Sequence, residues 1–313
     1  MNSKFDPNDI AIANGNIFGF PVEESDADLV IIPVPWDATA SYGKGASDGP
    51  KAILNASLQL DFYHPELDKA YETKVFMSPI SEEWKKINDK LCISSLEYID
   101  FLESGGIVKE NKYFNSILTE INSAHEALRN NLKQKSTELL KEGKMVAVLG
   151  GEHSTPLGLI QALNEVNDDF GILQIDAHAD LRTAYEGFEQ SHASIMYNVL
   201  QDCKNLSKLV QVGIRDIAPS EVEMITSNPK ISTFFDWDLK RNEFEGVTWN
   251  TQVNAIIASL PQKVYISFDI DGLIPNLCPN TGTPVPGGMS LEQVNFLFSK
   301  LVESGKTVIG FDL

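Results

Sequence analysis

The stretch Gly171-Ile172-Leu173-Gln174-Ile175-Asp176-Ala177-His178-Ala179-Asp180 passes from a mostly apolar run into two carboxylates and an imidazole set two residues apart. An apolar run with little alternation fits a strand buried on both faces of a parallel sheet. If the chain stays extended beyond that strand, residues i, i+2 and i+4 face one side. Asp176, His178 and Asp180 would then converge on one point, and the two alanines leave room for close packing. Taken alone, the segment can also be read as a solvated acidic loop with a chance histidine.

Similar apolar runs lie at 29–34, 145–149, 209–212, 264–268 and 307–311. Helical patterns fall between them at about 112–142, 155–167, 190–203, 250–260 and 290–304. This alternation predicts one α/β domain with a parallel sheet and right-handed crossovers. The segment 66–110 is less regular and is expected to be an insertion over one edge. Residues 1–313 contain no repeat, low-complexity stretch or linker, so a single domain is expected, with an N-terminal extension over about 1–27.

Two further clusters follow predicted strands. Ser267-Phe268-Asp269-Ile270-Asp271-Gly272 again places two carboxylates at i and i+2. Partly desolvated and mutually repelling, they are costly unless a cation sits between them. An Asp-rich turn is the plainer reading. Gly150-Gly151-Glu152-His153-Ser154-Thr155-Pro156 allows a sharp turn and puts His153 at the start of a predicted helix. In open parallel sheets, ligands bind beyond the carboxyl ends of the strands, so the three clusters point at one crevice.

Together they supply His153, Asp176, His178, Asp180, Asp269 and Asp271. Four carboxylates and two imidazoles are too many for a tetrahedral zinc site. They suit two harder divalent ions, with Mn²⁺ fitting the mixed N/O donors and Ni²⁺ as the alternative. Ions about 3.5–4 Å apart can share a water, lower its pKa and orient a polarised substrate.

Composition narrows the function. The formal net charge is −19, which disfavours nucleic acid and anionic lipid and favours small cations. It also serves solubility alone. No apolar run approaches the roughly 20 residues that span a bilayer, and the first ten residues lack a signal-peptide pattern. Cys92, Cys203 and Cys278 form no CxxC and predict a reducing, cytoplasmic compartment.

GGEHS at 150–154, DAHAD at 176–180 and SFDIDGLIPNLCPNTGTPVPGG at 267–288 resemble the three signature blocks of the arginase/agmatinase (ureohydrolase) family. The early stretch from Asp37 to Gly43, with Gly49-Pro50, is similar to that family's glycine-rich loop. The resemblance runs from about Leu29 to the end. It implies a three-layer α/β/α fold, a binuclear manganese centre held by the six residues above, and a homotrimer or homohexamer. It implies hydrolysis of a guanidino (or formimino) C–N bond, usually releasing urea. Thr283 matches the threonine next to the substrate, and His192 the histidine proposed as proton shuttle, a role suited to an imidazole titrating near neutrality. Asp180 is placed to take the proton from the nucleophile.

There are three departures. Glu152 stands where Asp is usual, and Ile274 where Leu-Asp-Pro is common. The sequence stops at Leu313, after Asp312 but before the family's guanidinium-binding glutamate, so a missing C-terminal segment is expected. The loop from Asp180 to Ser194 looks more like agmatinases than arginases, and offers Tyr185, Glu186 and Glu189. Glu186 or Glu189 could hold the distal ammonium of a small cationic substrate such as agmatine. Guanidine, other small guanidino compounds and formiminoglutamate remain open. Trp36 could wall a small pocket or belong to the core. Two rivals remain: acyl-lysine deacetylation, which shares the broad fold but needs fewer carboxylates, and a non-catalytic, metal-stabilised family member.

Overall fold

The computed structural model describes residues 5–313; the first four residues of the expected N-terminal extension lie outside them. Among the described residues, eight strands form one all-parallel sheet. They are β1 (Leu29–Val34), β2 (Val75–Met77), β3 (Met145–Gly150), β4 (Phe170–Ile175), β5 (Leu206–Ile214), β6 (Ile231–Phe235), β7 (Lys263–Phe268) and β8 (Thr307–Asp312). Their spatial order is β2-β1-β3-β8-β7-β4-β5-β6. The helices are α1 (Gly49–Ser57), α2 (Glu82–Glu103), α3 (Lys112–Lys141), α4 (Leu157–Val166), α5 (Ile195–Asp202), α6 (Pro219–Ser227), α7 (Asp236–Phe244), α8 (Trp249–Ala258) and α9 (Leu291–Glu303).

Alternate strand residues enter different cores, which makes the three layers. Val30, Ile32, Val146, Val148 and Ile172 pack with residues of α2, α3, α4 and α5. Their neighbours Ile31, Ala147 and Leu149 turn to the opposite face, where α1 lies. Leu173, Ile175, Val210 and Val212 share that second face with α7, α8 and α9. Burying each such valine, leucine or isoleucine side chain is worth roughly 1.5–3 kcal/mol. The expected α/β/α architecture is therefore present, with both faces of the sheet covered.

Helix α3 shows why the pattern was readable. Its buried residues Ile117, Ile121, His125, Leu128, Leu132, Ser136 and Leu139 recur every three or four positions. The Asn111 side chain caps it by accepting from the Tyr113 and Phe114 amides.

The reading of 66–110 as an irregular insertion is corrected: it contains edge strand β2 and the 22-residue helix α2. The buried face of α2 includes Asn88 and Ser95 beside Leu91, Tyr98 and Ile99, so polar residues interrupt the apolar stripe. Strand β6 and the short helices α1, α6 and α7 were also missed. The pattern at 155–167 becomes helical only from Leu157, so His153 stands in the preceding turn. The pattern at 190–203 opens with a single 3-10 turn, His192–Ser194, before α5. Trp36 is core, 0% exposed and edge-on to Trp84. No helix among the described residues is long and apolar enough to cross a membrane.

Candidate metal centre

Strand register builds the site. Ile175 at the end of β4 pairs with Phe268 at the end of β7, so Asp176 and Asp269 follow side by side. The Asp269 amide donates to the Ile175 carbonyl at 2.9 Å. His153 arrives from the far side of β8 through the Gly150-Gly151 turn. Gly151 has φ +34, and a Cβ there would strike the Trp36 and Val34 carbonyls. Only glycine allows so close a passage.

The donor atoms converge. His153 Nδ1 lies 2.9 Å from Asp176 Oδ2, 2.9 Å from Asp180 Oδ2 and 3.4 Å from Asp269 Oδ2, yet it makes no hydrogen bond. His178 Nδ1 lies 3.1 Å from Asp271 Oδ2 and 3.6 Å from Asp176 Oδ1. Among the described residues, two donor groups result: His153, Asp176 and Asp269, and Asp176, His178 and Asp271. Asp176 belongs to both. The chain does not stay extended through Asp180 as expected, because that residue takes φ +56. The left-handed turn nevertheless delivers its carboxylate to His153.

The electrostatics fit a cation at this place. Burial pushes the Asp180 and Asp269 carboxyls up to about 7, helped by repulsion from Asp176 and from Asp271 respectively. Asp271 is raised in the same way, by burial and then by Asp176. Burial also opposes ionisation of Asp176, but His153 and His178 outweigh it and hold this carboxyl well below the usual range. Burial would lower His178, but Asp176 and Asp271 carry it up to about 11. Protons thus stand where positive charge is needed, and hard divalent cations suit this oxygen-rich donor set.

Outer partners fix the ligands. His153 Nε2 and Ser267 Oγ are 2.8 Å apart, and Ser267 donates to Asp312 Oδ2 at 3.2 Å. With Nε2 donating to the serine, the lone pair of Nδ1 faces the carboxylates. The Ala177 amide holds Asp271 Oδ1 at 2.9 Å, and the His178 amide holds Asp176 Oδ1 at 2.7 Å. Arg215 ties down the carbonyls of Asp271, Leu273 and Val285. Sequence reasoning assigned no role to Ser267, Gln174, Gln211 or Arg215. Ser267 could have been found as the residue two before Asp269, facing the same way.

The remaining expected residues lie outside these donor groups. His192 Nε2 is 3.3 Å from Ser41 Oγ, and its ring meets Tyr185 edge-on. Thr283 sits in the loop whose Gly282 carbonyl accepts from the Gly43 amide at 3.2 Å. Glu186 takes φ +55, its Oε2 is buried without a partner, and burial raises its carboxyl despite the nearby His192. Glu189 is exposed on the surface, with only its backbone held, by Asn122 and Asn198.

A parallel sheet with carboxylates and imidazoles at its carboxyl edge defines a metal-binding α/β protein. The chain belongs to the arginase family, whose profile matches residues 27–313. It is 34% identical over 292 residues to an N(1)-aminopropylagmatine ureohydrolase of Thermus thermophilus, covering 93% of this chain and 83% of that one. It is 32% identical over 292 residues to a Synechocystis protein of the same description, covering 92% of this chain and 81% of that one. The fold matches a solved agmatine ureohydrolase of Thermoplasma volcanium at a TM-score of 0.71 and 23% identity, over 96% and 85% of the two chains.

Proposed function

We propose that this chain is a binuclear metal-dependent ureohydrolase acting on a guanidino compound with a distal ammonium, agmatine in the first place. The observation that carries this reading is the sharing of buried Asp176 between two donor groups, in which His153 and Asp271 are also buried and Asp269 and His178 are partly exposed. His153, Asp176, Asp180 and Asp269 would hold one ion, and Asp176, His178, Asp269 and Asp271 the other. Manganese suits the donors, with nickel as the alternative. When bound, the pair supplies a water acidified enough to act as nucleophile near neutral pH.

The protein's own groups do the rest. Asp180 receives the nucleophile's proton. His192 carries a proton to the leaving amine. Thr283, in the loop packed on Gly43, steadies the reacting group. Glu186 holds the distal ammonium, supported by its buried, unpartnered oxygen; Glu189, on the surface, serves as a weaker outer charge. Urea and a diamine leave. The relatives' descriptions favour one extension, the N(1)-aminopropyl derivative of agmatine. Guanidine and formimino substrates are the alternatives. The family resemblance supports a homotrimer or homohexamer, and three free cysteines support a cytoplasmic location. The acidic surface supports neither a nucleic-acid nor a membrane partner.

The test is reconstitution with Mn²⁺ and with Ni²⁺, followed by urea and ammonia assays on agmatine, N(1)-aminopropylagmatine, arginine, guanidinobutyrate, guanidine and formiminoglutamate. Urea from an amine-bearing guanidine, abolished by Asp180→Asn or Asp271→Asn, is the expected result. Two bound metals with no turnover of any of the six would overturn the reading in favour of a structural metal centre.

A further inference from the structure

Glu152, which stands where the family resemblance leads one to expect Asp, is buried. One oxygen of its carboxylate is fully engaged. Oε1 accepts from the Thr39 hydroxyl, from the Thr39 amide at 3.3 Å and from Ser154 Oγ at 3.0 Å. Its backbone is fixed too, because its amide donates to the Trp36 carbonyl at 2.8 Å. That leaves Oε2, a buried atom with no hydrogen-bond partner. His192 Nδ1 is likewise buried without a partner. The two lie 3.5 Å apart. On the other side of the ring, Nε2 meets Ser41, on the loop that packs against the Thr283 segment.

Two orphaned buried atoms facing each other, one an acceptor and the other able to carry a proton, are costly unless they engage. We propose that Glu152 is the positioning residue of His192, taking its Nδ1–H and so fixing the tautomer and ring direction that leave Nε2 to the reaction crevice. The extra methylene of glutamate serves this contact: an aspartate would withdraw the carboxylate by about 1.5 Å, beyond reach of the ring. Glu152 thus acts on the proton-transfer side of the site, although it adjoins the ligand His153. The inference rests on His192 being the proton carrier proposed above.

The test reads the imidazole directly. Long-range ¹H–¹⁵N histidine spectra are recorded on protein loaded with diamagnetic Zn²⁺, with His192 assigned by its loss in His192→Asn. In the wild type, Nδ1 of His192 is expected to be protonated and Nε2 free. Glu152→Gln and Glu152→Asp are both expected to lose this pattern while metal content stays at the wild-type level. Turnover of the Mn²⁺ enzyme in Glu152→Gln should fall about 10- to 100-fold in kcat, with KM within about twofold. Adding Glu152→Gln to His192→Asn should cost nothing further. An unchanged His192 tautomer in both Glu152 variants overturns the proposal, as does a loss of bound metal that parallels the loss of activity. If the wild type hydrolyses no guanidine, the functional reading fails, and the spectra still decide this one.

Discussion

The Gln211 side-chain amide donates to Gln174 Oε1 at 2.7 Å inside the sheet, and Gln174 Nε2 donates onward to Asp176 Oδ2 at 2.9 Å. The two glutamines are register partners on β4 and β5, both 0% exposed. Thr233 on β6 extends the ladder by donating to Gln211 at 2.8 Å. The same amides hold the carbonyls of His178 and Ala179. Three strands thereby aim the loop that carries Asp176, His178 and Asp180. Gln174→Leu is expected to weaken metal binding about 10- to 100-fold, which metal titration of purified protein measures. An affinity within twofold of wild type would show that the ladder serves stability alone.

Glu186 and Glu189 should separate in kinetics. Removing the charge of a group that holds a remote ammonium raises KM and leaves kcat nearly intact. Glu186→Gln is expected to raise KM for agmatine about tenfold, with no change for free guanidine. Glu189→Gln, at an exposed position, should leave both near wild type. Equal effects on the two substrates would remove Glu186 from ammonium recognition.

Metal affinity should rise with pH. In the metal-free protein Asp180 and Asp269 hold protons up to about 7, and His178 up to about 11. A carboxyl raised by folding favours the folded state at low pH, and that contribution fades as pH climbs from its ordinary value toward 7. Cations must displace these protons, so Mn²⁺ affinity is expected to increase from pH 5.5 to 7.5. His178 continues the trend at higher pH with the same sign. Calorimetry across this range checks it, and a flat profile would mean that the ligands bind no protons in the metal-free state.

Gly151→Ala should be severe. The new Cβ would lie 2.8 Å from the Val34 carbonyl and still closer to that of Trp36, at a φ that L residues rarely adopt. A loss of about 2–4 kcal/mol is expected, seen as a lower denaturation midpoint together with weaker metal binding, since the turn carries His153. Gly143→Ala, with nothing near its added Cβ but φ +80, should cost about 1–2 kcal/mol and spare the metal.

The sequence by itself determined the ligand types and the strands that end in them. Long apolar runs and i, i+2 acidic pairs are local signals, set by side-chain direction along one strand. Six strands and the longest helix, α3, were legible for that reason. Helix α2 was not, because two of its five buried residues, Asn88 and Ser95, are polar, against two of seven in α3. Those residues are inside only because α2 covers the loop after β1, where Asn88 bonds Asp37 at 2.9 Å. Only the tertiary structure decided the strand order and register. These bring the Ala177 amide onto Asp271 across 94 residues, set Gln211 behind Gln174, and face Glu152 to His192. Such pairings depend on how segments far apart in the chain pack in three dimensions, and no local periodicity encodes that.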